Sequence, residues 1–93
     1  MEKLAELDVK ARLGALPDWS EVSGSIQRTY QFKDFIAAMA FVNAVAAHAE
    51  KVQHHPDIMV RWNKVTLTLS THDAGGITAK DFQSAAAYDA MAT

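Results

Sequence analysis

Ile58-Met59-Val60-Arg61-Trp62 and Val65-Thr66-Leu67-Thr68-Leu69-Ser70-Thr71, joined by Asn63-Lys64, decide how this chain folds. In the second run Val65, Leu67 and Leu69 share one face, while Thr66, Thr68, Ser70 and His72 share the other. That period of two is the mark of a strand buried on one side. Two such runs separated by two residues read as a β-hairpin.

Working outward, Lys33 to Gln53 is the longest periodic segment, with Phe35, Met39, Val42, Ala46 and Ala49 on one helical stripe. Its many alanines favour a helix, and Pro56 disfavours α geometry at His55, so the helix is predicted to end near Gln53 or His54. Upstream, Ser23-Gly24 is a turn signal, and Ile26, Arg28, Tyr30 and Phe32 alternate with Gln27, Thr29 and Gln31, which predicts a hairpin over Trp19 to Phe32. Glu2 to Leu13 reads as a short first helix with Leu4, Leu7 and Ala11 on its stripe, closed by Gly14 and Pro17. Downstream, Ala74-Gly75-Gly76 is a loop, and Thr78-Ala79-Lys80-Asp81 resembles a capping box opening a last helix through Ala92. The order α-β-β-α-β-β-α predicts an α+β fold, a single antiparallel four-stranded sheet with the helices packed on one face, in one domain over residues 1–93.

Composition excludes several function classes. A chain of 93 residues holds one core and buries roughly 60–65% of its unfolded surface. Nine basic against eleven acidic residues, a net charge of −2, leave no electrostatic footprint for nucleic acid or an anionic membrane. The absence of cysteine rules out disulfides, thiolate catalysis and Cys-based zinc sites. No apolar run approaches the ~20 residues of a membrane span, and Met1-Glu2-Lys3 does not open a signal peptide, so a cytoplasmic protein is expected. Phe41 and Val45 widen the apolar surface of the long helix, and self-association is expected from it.

The chemistry gathers where the long helix stops. Three of the four histidines fall between His54 and His72, and imidazole both gives and takes protons near neutrality. If helical geometry persists to His54, Glu50 lies four residues earlier on the same face, where it would fix the imidazole tautomer and, with the helix C-terminus, raise the His54 pKa. Alternatively the histidines merely cap the last carbonyls of the helix. A metal held by Glu50, His54 and His72 is the competing chemistry, disfavoured by the lack of His-x-His or His-x-x-x-His spacing. His48 reads as a structural histidine and Asp81 as a capping carboxylate. Trp19 and Trp62 read as core before ring-stacking residues.

Phe32-Lys33-Asp34-Phe35, Ala49-Glu50-Lys51, His54-His55-Pro56, Asn63-Lys64-Val65, Leu69-Ser70-Thr71-His72 and the turn from Thr78 to Asp81 together resemble the pterin-4a-carbinolamine dehydratases. The resemblance implies a small α+β subunit assembled as a homodimer or homotetramer, which removes water from 4a-hydroxytetrahydropterin to give quinonoid dihydropterin. It implies no cofactor beyond the pterin substrate, no metal, and a functional link to aromatic amino acid hydroxylases. By position the catalytic group would be His54, His55, His72 and Glu50. His54 and His72 match the acid/base pair, His55 matches mainly a substrate-binding residue, and Glu50 a supporting carboxylate. Pterin contacts would fall on Gln53, His54 and His55 and on Ser70, Thr71, His72 and Asp73, with Trp19 and Asp81 nearby. Many members carry an acidic residue in place of Gln53 and tyrosine in place of Trp62. The rival reading is an interaction module, since some animal members also serve as dimerisation cofactors of a homeodomain transcription factor and related domains are assigned to enzyme assembly.

Overall fold

Val65, Leu67 and Leu69 are fully buried while Thr66 and Thr68 between them stay half-exposed, and that alternation fixes which side of the sheet carries the core. In this computed structural model, which describes residues 2–92, the elements are α1 (Glu6–Leu13), β1 (Ser20–Val22), β2 (Ser25–Gln31), α2 (Phe35–Val52), β3 (Asp57–Arg61), β4 (Lys64–Leu69) and α3 (Ala79–Met91). Met1, part of the start read for a signal sequence, and Thr93, the end of the expected domain, lie outside the described residues. The sheet is antiparallel with the order β1-β2-β4-β3, so the two hairpins join through β2 and β4. The expected fold class and element order hold.

The first hairpin turns at Ser23 (φ 49°) and Gly24 (φ 79°). Positive φ at both central residues matches the twist of the flanking strands, and glycine takes it without steric cost. The second hairpin turns one residue earlier than the sequence predicts. Arg61 pairs with Lys64, so Trp62 and Asn63 form the turn and Trp62 takes a φ of 53°. Asn63 causes the shift: its side-chain N–H donates to the Phe32 carbonyl at 2.9 Å and its carbonyl accepts from the Phe32 N–H at 2.8 Å. Trp62 is thereby left 69% exposed, not in the core. A bulky residue with positive φ stores strain of about 1–3 kcal/mol.

Two helices bury a different stripe from the predicted one. On α2 the buried residues are Ala38, Phe41, Val45 and Ala49, whereas Phe35 is half-exposed and Ala46 exposed. Phe41 and Val45 therefore fill the core and cannot drive self-association; Phe41 lies 4.7 Å from the ring of Tyr30 and 5.0 Å from that of Phe32. The apolar excess is instead on the outer surface at Phe35 and Ile36, the latter 80% exposed. By length and composition the 18 residues of α2 would suffice to cross a membrane, contrary to the sequence expectation, yet the helix sends one stripe into the core. α1 starts later than predicted and buries Val9, leaving Leu7 exposed, because Leu4 is tied by its N–H to the Ile77 carbonyl ahead of the helix.

α3 is fastened at its C-terminal end by Asp89. Trp19 Nε1–H, the Arg28 guanidinium and the Tyr30 hydroxyl all donate to Asp89 Oδ1, at 2.9, 2.8 and 2.5 Å. Burial first, and Asp89 second, push the Tyr30 phenol well above its ordinary range, so it stays a donor. Replacing Asp89 with alanine strands three donors in a partly buried place, and urea unfolding should find a loss of about 2–4 kcal/mol. A loss under 0.5 kcal/mol would mean that solvent replaces the carboxylate (about the effect of an ordinary surface change).

Candidate active site

Helical geometry stops at Gln53, and this one residue sorts the histidines. Gln53 takes the left-handed conformation at φ 54°, its N–H and that of His54 both reach the Ala49 carbonyl, and its side-chain amide donates to the Glu50 carbonyl at 2.6 Å. A non-glycine residue there costs about 1–2 kcal/mol, which the side-chain bond to an otherwise orphaned helix carbonyl offsets. A carboxylate could not donate that bond, so Gln53 works as a helix-closing amide.

Past this reversal His54 no longer lies over Glu50. His54 turns inward, buried, and its Nε2 meets Asp81 Oδ1 at 2.5 Å; His55 turns outward, and its Nε2 meets Glu50 Oε2 at 2.5 Å. The expected Glu50–His54 pair is thus replaced by two others, because it required α geometry through His54.

Asp81 is fully buried. Its Oδ2 accepts from the Thr78 N–H and from the Thr71 hydroxyl, both at 2.9 Å, and the Thr71 and Thr78 hydroxyls are 2.7 Å apart. The capping box expected from Thr78 to Asp81 is present, and the same carboxylate also holds a histidine. A buried carboxylate is tolerated only when its lone pairs are matched, and here both oxygens are engaged. Thr71 is itself positioned by a backbone bridge to Gly76 around a tight 3-10 turn from His72 to Ala74 that Gly75 closes at φ 74°. The turn leaves His72 and Asp73 exposed just beyond β4.

Gln53, His54, His55, Ser70, Thr71, His72, Asp73 and Lys80 line one open cleft of about 270 Å³. The contact residues expected from the two separate segments come together there, with Asp81 beneath His54 and Glu50 at the rim. Trp19 does not join them: it is buried edge-on to Tyr30 and bound to Asp89. Lys80 was missed, although its place beside the capping Asp81 was a usable signal. The Asp81–His54 contact spans 27 residues and had no local signature. His48 packs edge-on against Tyr88 at 5.4 Å and lines a smaller hollow behind His54. Among the described residues no three His, Asp or Glu groups are placed to share a metal ion.

A model of the family described as pterin 4 alpha carbinolamine dehydratase matches residues 2–91. The chain belongs to this family. Relatives provisionally named pterin-4-alpha-carbinolamine dehydratases include one from a Cyanothece species, 54% identical over 85% of this chain and 81% of its own, and one from Acidobacterium capsulatum, 50% identical over 98% and 99%. A crystal structure described as a transcriptional coactivator/pterin dehydratase from Brucella melitensis superposes with a TM-score of 0.95 at 36% identity, covering 99% of this chain and 100% of that one. A pterin dehydratase-like RuBisCO assembly factor of the α-carboxysome matches with a TM-score of 0.66 at 25% identity, over 80% of this chain and 86% of its own.

Within this dehydratase-family frame the double duty of Asp81 is open to test by stability alone. Asp81→Ala removes both the α3 cap and the His54 partner and should lower unfolding free energy by about 2–4 kcal/mol. Asp81→Asn can still accept from the Thr78 N–H, so its loss should be smaller by about 1 kcal/mol or more. Equal losses in urea titrations would show that the cap contributes nothing.

Proposed function

We propose that this chain removes water from a 4a-hydroxytetrahydropterin to give the quinonoid dihydropterin. The observation that carries the reading is the convergence of His54, His55 and His72 on one cleft, with one of the three anchored by a buried carboxylate. Dehydration breaks the C4a–O bond, delivers a proton to the departing hydroxyl and removes one from N5, with no change of oxidation state. Two positioned imidazoles meet those needs.

Their surroundings favour a division of labour. With Nε2–H of His54 given to Asp81, Nδ1 is the atom left for substrate, an acceptor in the neutral ring; the carboxylate stabilises the imidazolium formed when it takes the N5 proton. His72, exposed on its turn, serves as the donor to the hydroxyl. His55 and Glu50 at the rim hold the pterin, and the backbone of Ser70 to Asp73 offers groups to pair with the ring edge. The proposal includes a homodimer or homotetramer, a cytoplasmic setting, and service to an aromatic amino acid hydroxylase whose spent cofactor the product would replenish. The pterin is the substrate, and no metal takes part.

A second reading, a non-catalytic assembly or dimerisation module, draws support from the RuBisCO assembly factor that shares the fold. Turnover of enzymatically generated 4a-hydroxytetrahydropterin separates the two. His54→Ala and His72→Ala should each lower kcat by about 10²–10⁴-fold, and the double variant should fall well below either. His55→Ala and Glu50→Gln should act chiefly on KM. Asp81→Asn should lower kcat alone but add little in a His54→Ala background, since both act through one ring. A folded double histidine variant as active as the wild type overturns the catalytic reading in favour of the module.

The metal-free mechanism has its own test. Protein treated with a chelator should keep full dehydratase activity. Loss on chelation with recovery on adding zinc or iron would contradict it.

A further inference from the structure

Behind His54 lies a second hollow of about 190 Å³, lined by His48, Val52, His54, Lys80, Gln83 and Ser84. Two of these residues, His54 and Lys80, also line the cleft, so the two spaces meet across a shared wall.

The lining is one-sided in charge. Lys80 brings an ammonium, Gln83 and Ser84 bring neutral donors, two imidazoles complete the polar set, and none of the six residues carries a carboxylate. Lys80 is half-buried and, among the described residues, enters no ion pair. His48 Nδ1 is buried and has no hydrogen-bond partner among those residues. A ring nitrogen left so costs about 1–3 kcal/mol, whereas an apolar side chain would pack beside Tyr88 without that cost. An oxyanion answers both groups, because it takes the Lys80 charge and an imidazole N–H together.

The chemistry of the ring supplies a direction. In the proposed reaction N5 stands at His54, and C6 is bonded to N5, so the C6 substituent leaves the ring beside the wall that the two spaces share. C4a, on the other side of N5, carries its hydroxyl towards His72. His48 lies a full turn of α2, about 6 Å, before Val52 at the helix end. A group bonded directly to C6 stops short of His48, whereas one at the end of a short chain reaches it. A phosphate monoester presents three strong acceptor oxygens to such a set of donors. We propose that the smaller hollow receives a phosphate ester carried on a short C6 side chain of the pterin, held by Lys80 and His48. The inference rests on the pterin-site reading and narrows its substrate class.

Neopterin and neopterin monophosphate differ only in that group, and titrations followed by pterin fluorescence at low salt compare them. The phosphate ester should bind the wild-type chain about tenfold more tightly, and equal affinity overturns the proposal. His48→Leu should cut that advantage about threefold without altering the affinity for neopterin, and Lys80→Gln should remove most of it. An advantage that survives both substitutions overturns the placement. In nitrogen NMR of the wild-type protein the ester should shift the His48 ring and neopterin should not, a readout that needs no variant to fold; an unmoved His48 ring with the ester bound contradicts the proposal. Inorganic phosphate at the same concentration should leave that ring unmoved. If it shifts the ring as the ester does, the hollow is a free-anion site and the link to the C6 chain is overturned. Binding of neither pterin refutes the proposed function itself, whereas binding of both without preference removes the phosphate subsite alone.

Discussion

Two oxygen atoms of one buried carboxylate tie together three elements distant in sequence. Asp81 caps α3 through the Thr78 N–H, holds the end of β4 through the Thr71 hydroxyl, and fixes the residue that follows α2 through His54. An uncompensated carboxylate at zero exposure would be costly, so the ends of α2, β4 and α3 must stay together for the fold to persist. The demand for stability and the placement of the candidate catalytic imidazole are thus met by the same contacts. Asp89, about 12 Å further along the helix, fastens the other end of α3 to β2 and Trp19, making the helix a strut between the core and the cleft.

The histidines end up in unequal settings, and under the proposed function that inequality would divide the work between them. His54 is buried and oriented by a carboxylate that cannot move, whereas His55 and His72 stand in solvent on a helix end and a tight turn. In the proposed reaction, pre-organisation of one ring would lower the reorganisation needed when it gains charge, and exposure would let the others follow the ligand. Left-handed Gln53 is the pivot: continuing the helix by one residue would put His54 over Glu50 and leave Asp81 Oδ1 without its imidazole, with only Oδ2 still bound to Thr71 and Thr78.

Much of this was legible in the sequence. The alternation of Val65 to Leu69 and the Ser23-Gly24 turn determined the sheet, because period two and positive φ are local properties. The Thr78–Asp81 box was legible for the same reason. What escaped was set by tertiary contact: the buried stripe of α2, shifted because Phe41 meets Tyr30 and Phe32 of the first hairpin; the earlier turn at Trp62, imposed by Asn63 reaching Phe32; and the exchange of partners between Glu50 and Asp81. The two segments expected to carry the ligand contacts line one cleft, whereas Trp19, 35 residues from the histidine pair, went to the Asp89 cluster instead.

The account turns on which nitrogen of His54 faces the ligand, and nitrogen NMR of the imidazole side chains reads it directly. With 7,8-dihydrobiopterin as a probe, neutral His54 should carry its proton on Nε2 towards Asp81, and adding the pterin should shift His54 Nδ1 together with the His72 ring while His48 stays unchanged. A His54 ring protonated on Nδ1 in the neutral form, or a pterin response confined to groups outside the cleft, would contradict it.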